Sequence, residues 1–211
     1  AELGGADSIV VHLREDRRHI QDRDLRLLKE TLKVRLDLEM AATEEMIKFA
    51  SSIKPFMVTL VPEKRKELTT EGGLNVVLEK DALKQAIDRL HDNDIRVSIF
   101  IDPDTEQLKM AHKINADIVE IHTGHYAGEK KKAGSDIELK QVSQILQMAS
   151  RLGLGINAGH GLNYANITPL ARLGLIQEFN IGHSIISRAV FTGLSRAVQE
   201  MKQLVTQFDR A

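Results

Sequence analysis

Short apolar runs alternate with helical periodicity along almost the whole chain. The β-rich runs are 8–13 (SIVVHL), 34–40 (VRLDLEM), 56–62 (FMVTLVP), 96–101 (RVSIFI), 117–122 (DIVEIH), 154–158 (LGINA) and 176–182 (IQEFNIG). Between them, apolar residues recur at helical spacing. Leu25, Leu28 and Leu32 mark a helix over 22–32, and Leu83, Ile87 and Leu90 one over 79–93. Thr43, with Glu45 and Met46 following, opens a third over 43–53. The same spacing predicts helices over 104–114, 136–152, 164–173 and 184–208. Strands apolar on both faces, each followed by a helix, predict a parallel sheet covered by helices.

Seven such units average roughly 30 residues each, the size of a βα repeat with its loops. No G-x-G-x-x-G follows the first strand, so a dinucleotide-binding doubly wound sheet has little support. "AEL" at the start reads as the end of a helix and "GGAD" as its cap and turn. With one further βα unit upstream the count becomes eight. The fold class expected is therefore α/β, a (β/α)8 TIM-type barrel in a single domain over 1–211, its first βα unit lying before Ala1.

The strand ends carry the chemistry. In such barrels, catalytic groups sit where strands run into the following loops. The first strand ends in His12, Leu13 and Arg14, with His19 beyond; the second in Leu38-Glu39-Met40. Later strands end in "EIHTG" (120–124), "NAGHG" (157–161) and "NIGH" (180–183). His12, His122, His160 and His183 thus fall on one predicted rim. Glu39 and Glu120 sit inside apolar strands, where a carboxylate is costly to bury without a partner. Either each faces polar groups inside the barrel, or its pKa is raised and it works as an acid or base. Gly159, Gly161 and Gly182 let peptide N–H groups approach an anion, and a helix starting near Ser184 aims its N-terminus at the same place. Arg14 and His19 form a second candidate anion site. The loop 62–75, with charges at 63–67 and Gly72-Gly73, is a candidate lid; the run 129–134 reads as a solvated loop tip.

Composition narrows the classes. A net charge of −1, with 4% aromatic residues and no Trp, removes the electrostatic and stacking basis for nucleic-acid binding. No apolar run approaches the ~18 residues of a membrane helix, and no signal-peptide pattern is present. With no Cys, disulfides and thiolate chemistry are excluded, and a cytoplasmic protein is expected. Three alternatives stay open on residues alone: an aldolase with Lys64 as Schiff base, a metal-dependent lyase or hydrolase using the rim histidines and Glu39, and a non-catalytic phosphometabolite binder.

"VHLREDRRHI", "LEMA", "LVPEKRKELTTEGG", "EIHTG", "NAGHGLNY" and "NIGHSIISRAVFTGL" together resemble the pyridoxine 5′-phosphate synthase family, over about residues 1 to 208. The resemblance implies a (β/α)8 barrel with accessory helices, assembled as a homo-octamer and using neither metal nor organic cofactor. It implies condensation of two phosphorylated small molecules, 1-deoxy-D-xylulose 5-phosphate and 3-amino-2-oxopropyl phosphate, to pyridoxine 5′-phosphate, phosphate and water. Carried over by position, His12 is implied as a general base and Glu39 as a second base. His160 is implied as proton donor, and Glu120 as a carboxylate stabilising developing charge. Arg14, His19 and Thr69 are implied to bind the deoxyxylulose phosphate; Gly161, Gly182 and His183 the aminoketone phosphate. The family's first-strand Asn-x-Asp-His motif has no counterpart in these residues, in line with a first unit upstream.

Overall fold

The computed structural model describes residues 1–63, 72–129 and 132–208. Thr69, Lys64, most of the candidate lid and part of the 129–134 run lie outside the described residues. Among the described residues seven strands form: β1 (Ser8–His12), β2 (Arg35–Met40), β3 (Met57–Leu60), β4 (Arg96–Ile101), β5 (Ile118–His122), β6 (Gly155–Gly159) and β7 (Glu178–Asn180). All pair in parallel and in chain order, curving into a nearly closed barrel. Among the described residues β1 pairs with β2 alone and β7 with β6 alone. Both are half-buried along their length, whereas β3 and β5 are buried throughout.

Helices alternate with the strands: α1 (Asp22–Thr31), α2 (Glu44–Ile53), α3 (Lys80–His91), α4 (Thr105–Lys113), α5 (Gly124–Gly128), α6 (Lys132–Arg151), α7 (Ile167–Ala171), α8 (His183–Thr192) and α9 (Leu194–Thr206). Local chemistry sets their starts. The Thr43 hydroxyl accepts from the Met46 N–H at 3.5 Å to open α2. Asp104 accepts from the N–H groups of Glu106 and Gln107, both at 2.9 Å, to open α4. The single helix expected over 184–208 is two. Gly193, at φ 80° and ψ 153°, breaks it with a backbone conformation that suits glycine. The short α5 carries too few apolar repeats to show in the sequence.

The main core lies between sheet and helices. Leu36, Leu38 and Met40 of β2 pack outward, in one cluster with Met46, Ile47 and Ala50 of α2 and Leu83 and Ile87 of α3. The period of two then turns Asp37 and Glu39 toward the barrel axis. Parallel register carries the polar inner face around the barrel: Glu39 pairs with Thr59, Thr59 with Ser98, Glu120 with Asn157, and Asn157 with Glu178. This corrects the expectation of strands apolar on both faces. The outer face is apolar, and much of the inner face is not.

Candidate active site

The carboxyl ends of the strands bring the singled-out residues to one rim. His12 closes β1 and stands directly opposite Glu39 in the β1–β2 register. Its Nδ1 lies 3.9 Å from Glu39 Oε2, and its Nε2 lies 3.8 Å from Glu63 Oε2. The imidazole is thus flanked by two carboxyls, each just beyond hydrogen-bonding distance. Burial, then the nearby cations Arg14 and His19, lower the His12 pKa to about 4. Glu39 moves the other way. A quarter of its side chain is exposed, yet protein surrounds the carboxyl, and burial pushes its pKa up to about 7. At neutral pH His12 is therefore an uncharged acceptor, and Glu39 exchanges its proton readily.

Glu120 lies deeper, at 2% exposure. Burial, with the charge of Glu39 next, holds it well above the usual carboxylate range. Asn180, on β7, donates Nδ2–H to Glu120 Oε2 at 2.8 Å and fixes it. Below this pair sits Asp37, raised to about 8 by burial first and by Glu178 second.

His160 follows β6 with φ at +75°, an uncommon conformation for a residue with a side chain. Buried Thr123 holds it there: the hydroxyl lies 2.7 Å from the Gly159 carbonyl and 2.8 Å from the His160 carbonyl, and is shared between them. Burial, then His122 and His183, place the His160 pKa below its ordinary value. Gly161 comes next with φ at +82°, and a Cβ there would stand 2.6 Å from the Ala127 Cβ. Gly182 precedes α8, and a Cβ on it would meet nothing within 4 Å. His183 is the first residue of α8, so Gly161, Gly182, His183 and the helix N-terminus share one side of the rim. Arg14 and His19 lie on the loop after β1, Arg14 buried and His19 exposed. Thr69 lies outside the described residues.

A family model for pyridoxal phosphate biosynthesis protein PdxJ matches residues 1–207. The chain belongs to the PdxJ family. It is 60% identical over 205 residues to the pyridoxine 5′-phosphate synthase of Geotalea daltonii, covering 97% of this chain and 86% of that one. It is equally similar, over the same coverage, to the enzyme of that name from Geobacter sulfurreducens. Among solved structures, phosphoribosyl anthranilate isomerase from Thermus thermophilus superposes with a TM-score of 0.62, at 12% identity, over 98% of this chain and 90% of that one. The BexX/CysO complex of Amycolatopsis orientalis gives 0.64 at 12% identity, over 99% and 83%. At that identity the likeness is of fold alone.

In this PdxJ chain several rim residues escape the sequence reading. Asp102 follows β4 directly and bonds His122. Glu63, its side chain 5% exposed, lies 3.8 Å from Arg14 Nη2 and accepts from the Glu15 N–H at 2.9 Å. Asp37 had a readable signal, because it lies two residues before Glu39 on the same face. Among the described residues, no three His, Asp or Glu side chains converge closely enough to hold a metal ion. No helix there is long and apolar enough to cross a membrane.

Proposed function

We propose that this PdxJ chain is a pyridoxine 5′-phosphate synthase. It condenses 1-deoxy-D-xylulose 5-phosphate with 3-amino-2-oxopropyl phosphate, giving pyridoxine 5′-phosphate, inorganic phosphate and water. Membership of the family and 60% identity to enzymes of that name support the reaction. The single structural observation that carries it is the opposed pair His12 and Glu39, one pKa driven to about 4 and the other to about 7 on the same rim.

The amine of one substrate attacks the ketone of the other to give an imine between them. Proton removals, dehydrations, elimination of one of the two phosphates as inorganic phosphate and an aldol-like closure follow, ending in an aromatic ring. Each step moves protons to or from carbon or oxygen, which calls for several tuned acid and base groups in one place. His12 and Glu39 act as bases, and His160 donates protons. Glu120, fixed by Asn180, stabilises developing charge. Arg14, His19 and Thr69 hold the deoxyxylulose phosphate. Gly161, Gly182, His183 and the start of α8 hold the aminoketone phosphate through peptide N–H groups. Fixing both esters offsets much of the entropic cost of a two-substrate reaction. The chemistry asks nothing of a cofactor, since the imine forms between the substrates.

A homo-octamer in the cytoplasm belongs to the same proposal. The exposed apolar row of Ile186, Val190 and Phe191 on α8 supports association with further polypeptide. The test is direct: the purified protein and both phosphates are mixed, and products are followed by NMR. Pyridoxine 5′-phosphate with release of phosphate is expected, and borohydride traps no adduct on the protein. Tight binding of both esters with no product contradicts the proposal.

A further inference from the structure

Asp102 reaches the rim from the end of β4 and accepts two hydrogen bonds. His122 approaches it through Nδ1, 2.8 Å from Oδ1, and the backbone N–H of Gly73 donates to the same carboxylate. The His122 bond is the larger cause holding the Asp102 carboxyl below its usual range. A carboxylate at Nδ1 makes that nitrogen the donor of the pair and turns Nε2 away from it. Nε2 is buried and has no hydrogen-bond partner among the described residues. It sits beneath Gly124, where a Cβ would come within 2.5 Å of it and 3.3 Å of His160 Cδ2. The ring itself is wedged between Phe100 and His160, with centroid separations of 5.2 and 4.9 Å. One wall of the His160 imidazole is therefore another imidazole, and a carboxylate pins that wall.

We propose that His122 and Asp102 are positioning residues for His160: Asp102 fixes the ring of His122, and His122 fixes the orientation and the charge surroundings of His160. The proposal rests on the reading of His160 as proton donor. A buried ring with one satisfied and one bare nitrogen is a costly way to fill space. An apolar side chain of similar shape fills the same gap without an unpaired nitrogen. The position is better accounted for by what the ring does to its neighbour. Carboxylate–imidazole pairing of this kind orients reactive groups it does not itself replace. The titratable groups facing His160 are His122 on β5 and His183 at the head of α8. Behind His122 stand His125 on α5, with ring centroids 6.0 Å apart, and Asp102. Through Gly73 the same carboxylate also meets the returning end of the loop after β3, so that loop end and His160 share one anchor.

His122→Phe is the decisive variant, because it keeps a ring in the gap and removes both nitrogens. The ring of His160 is titrated by NMR in parent and variant, with no substrate present. Burial is the larger cause lowering the His160 pKa and His122 the next, so removing His122 is expected to raise it. The alkaline limb of the turnover profile moves up with it, since a donor loses its proton later. Asp102→Asn, at a partly exposed side chain that leaves the fold intact, is expected to lower kcat ~10-fold with KM unchanged. An unmoved His160 titration in His122→Phe overturns the proposal, as does parental kcat in Asp102→Asn. The donor reading fails separately, through a His160→Asn variant that turns over at the parental rate.

Discussion

His12 and Glu39 face each other across the β1–β2 ladder, with Nδ1 of one 3.9 Å from Oε2 of the other. The distance alone suggests an ion pair, but the environment opposes one. Burial lowers the imidazole pKa to about 4 and raises the carboxyl to about 7, so near neutrality the imidazole is uncharged and the carboxyl is only partly ionised. A base that stays unprotonated beside an acid that exchanges near pH 7 is suited to repeated proton transfer.

The pH dependence of kcat/KM should follow from this pair. One limb falls close to pH 7, where Glu39 loses its proton, and not near the ordinary value of 4.5. His12 contributes no limb between pH 5 and 9, because it is already neutral there. In Glu39→Gln the limb near 7 disappears from the residual activity. Initial rates across pH 5 to 9 check both points.

Stability should respond in the opposite sense to activity. The folded-state pKa of Glu39 is raised, so the fold favours the protonated carboxyl. Its contribution is intact below about pH 4.5, is lost as pH rises toward about 7, and stays lost above that. Glu39→Gln removes this dependence and is expected to be more stable than the parent above pH 7, by ~1–3 kcal/mol. Denaturant titrations at pH 5 and pH 8 check it: the two proteins converge at the lower pH and separate at the higher.

Gly161 is expected to tolerate no side chain. An Ala there meets the Ala127 Cβ at 2.6 Å and is held at φ +82°. Gly161→Ala should cost ~1–3 kcal/mol of stability and raise KM for the aminoketone phosphate more than for the other ester. Thermal unfolding and initial rates with each substrate varied in turn measure the two effects.

Thr123 offers a different kind of test. Its hydroxyl bridges two carbonyls that hold His160 at positive φ. Thr123→Val keeps the shape and leaves those carbonyls short of a donor, at an expected cost of ~1–2 kcal/mol. Turnover should fall while binding of both phosphates changes little, since the displaced group is the donor. Calorimetric binding beside kcat separates the two.

The barrel was legible because each unit repeats the same two periods, and some helix starts carry a local mark, as at Thr43 and Asp104. The break at Gly193 was not, because the apolar spacing on either side reads as one helix. At the rim, Glu39 and Glu120 stood out as carboxylates in apolar strands. Asp102 and Glu63 did not, because an acidic residue just past a strand reads as ordinary loop. Their roles come from closure of the sheet, which sets Asp102 against His122 twenty residues away and Glu63 against His12 and Arg14. The polar inner face was hidden for the same reason: Thr59 and Ser98 matter only through the neighbours that register gives them.

The most direct test of the account is the turnover of Glu39→Gln against the parent at pH 7.5, with both phosphates saturating and folding verified. The carboxyl should be worth ~10²-fold or more in rate, the scale of a lost acid/base group. A folded Glu39→Gln protein that forms pyridoxine 5′-phosphate at the parental rate would contradict it.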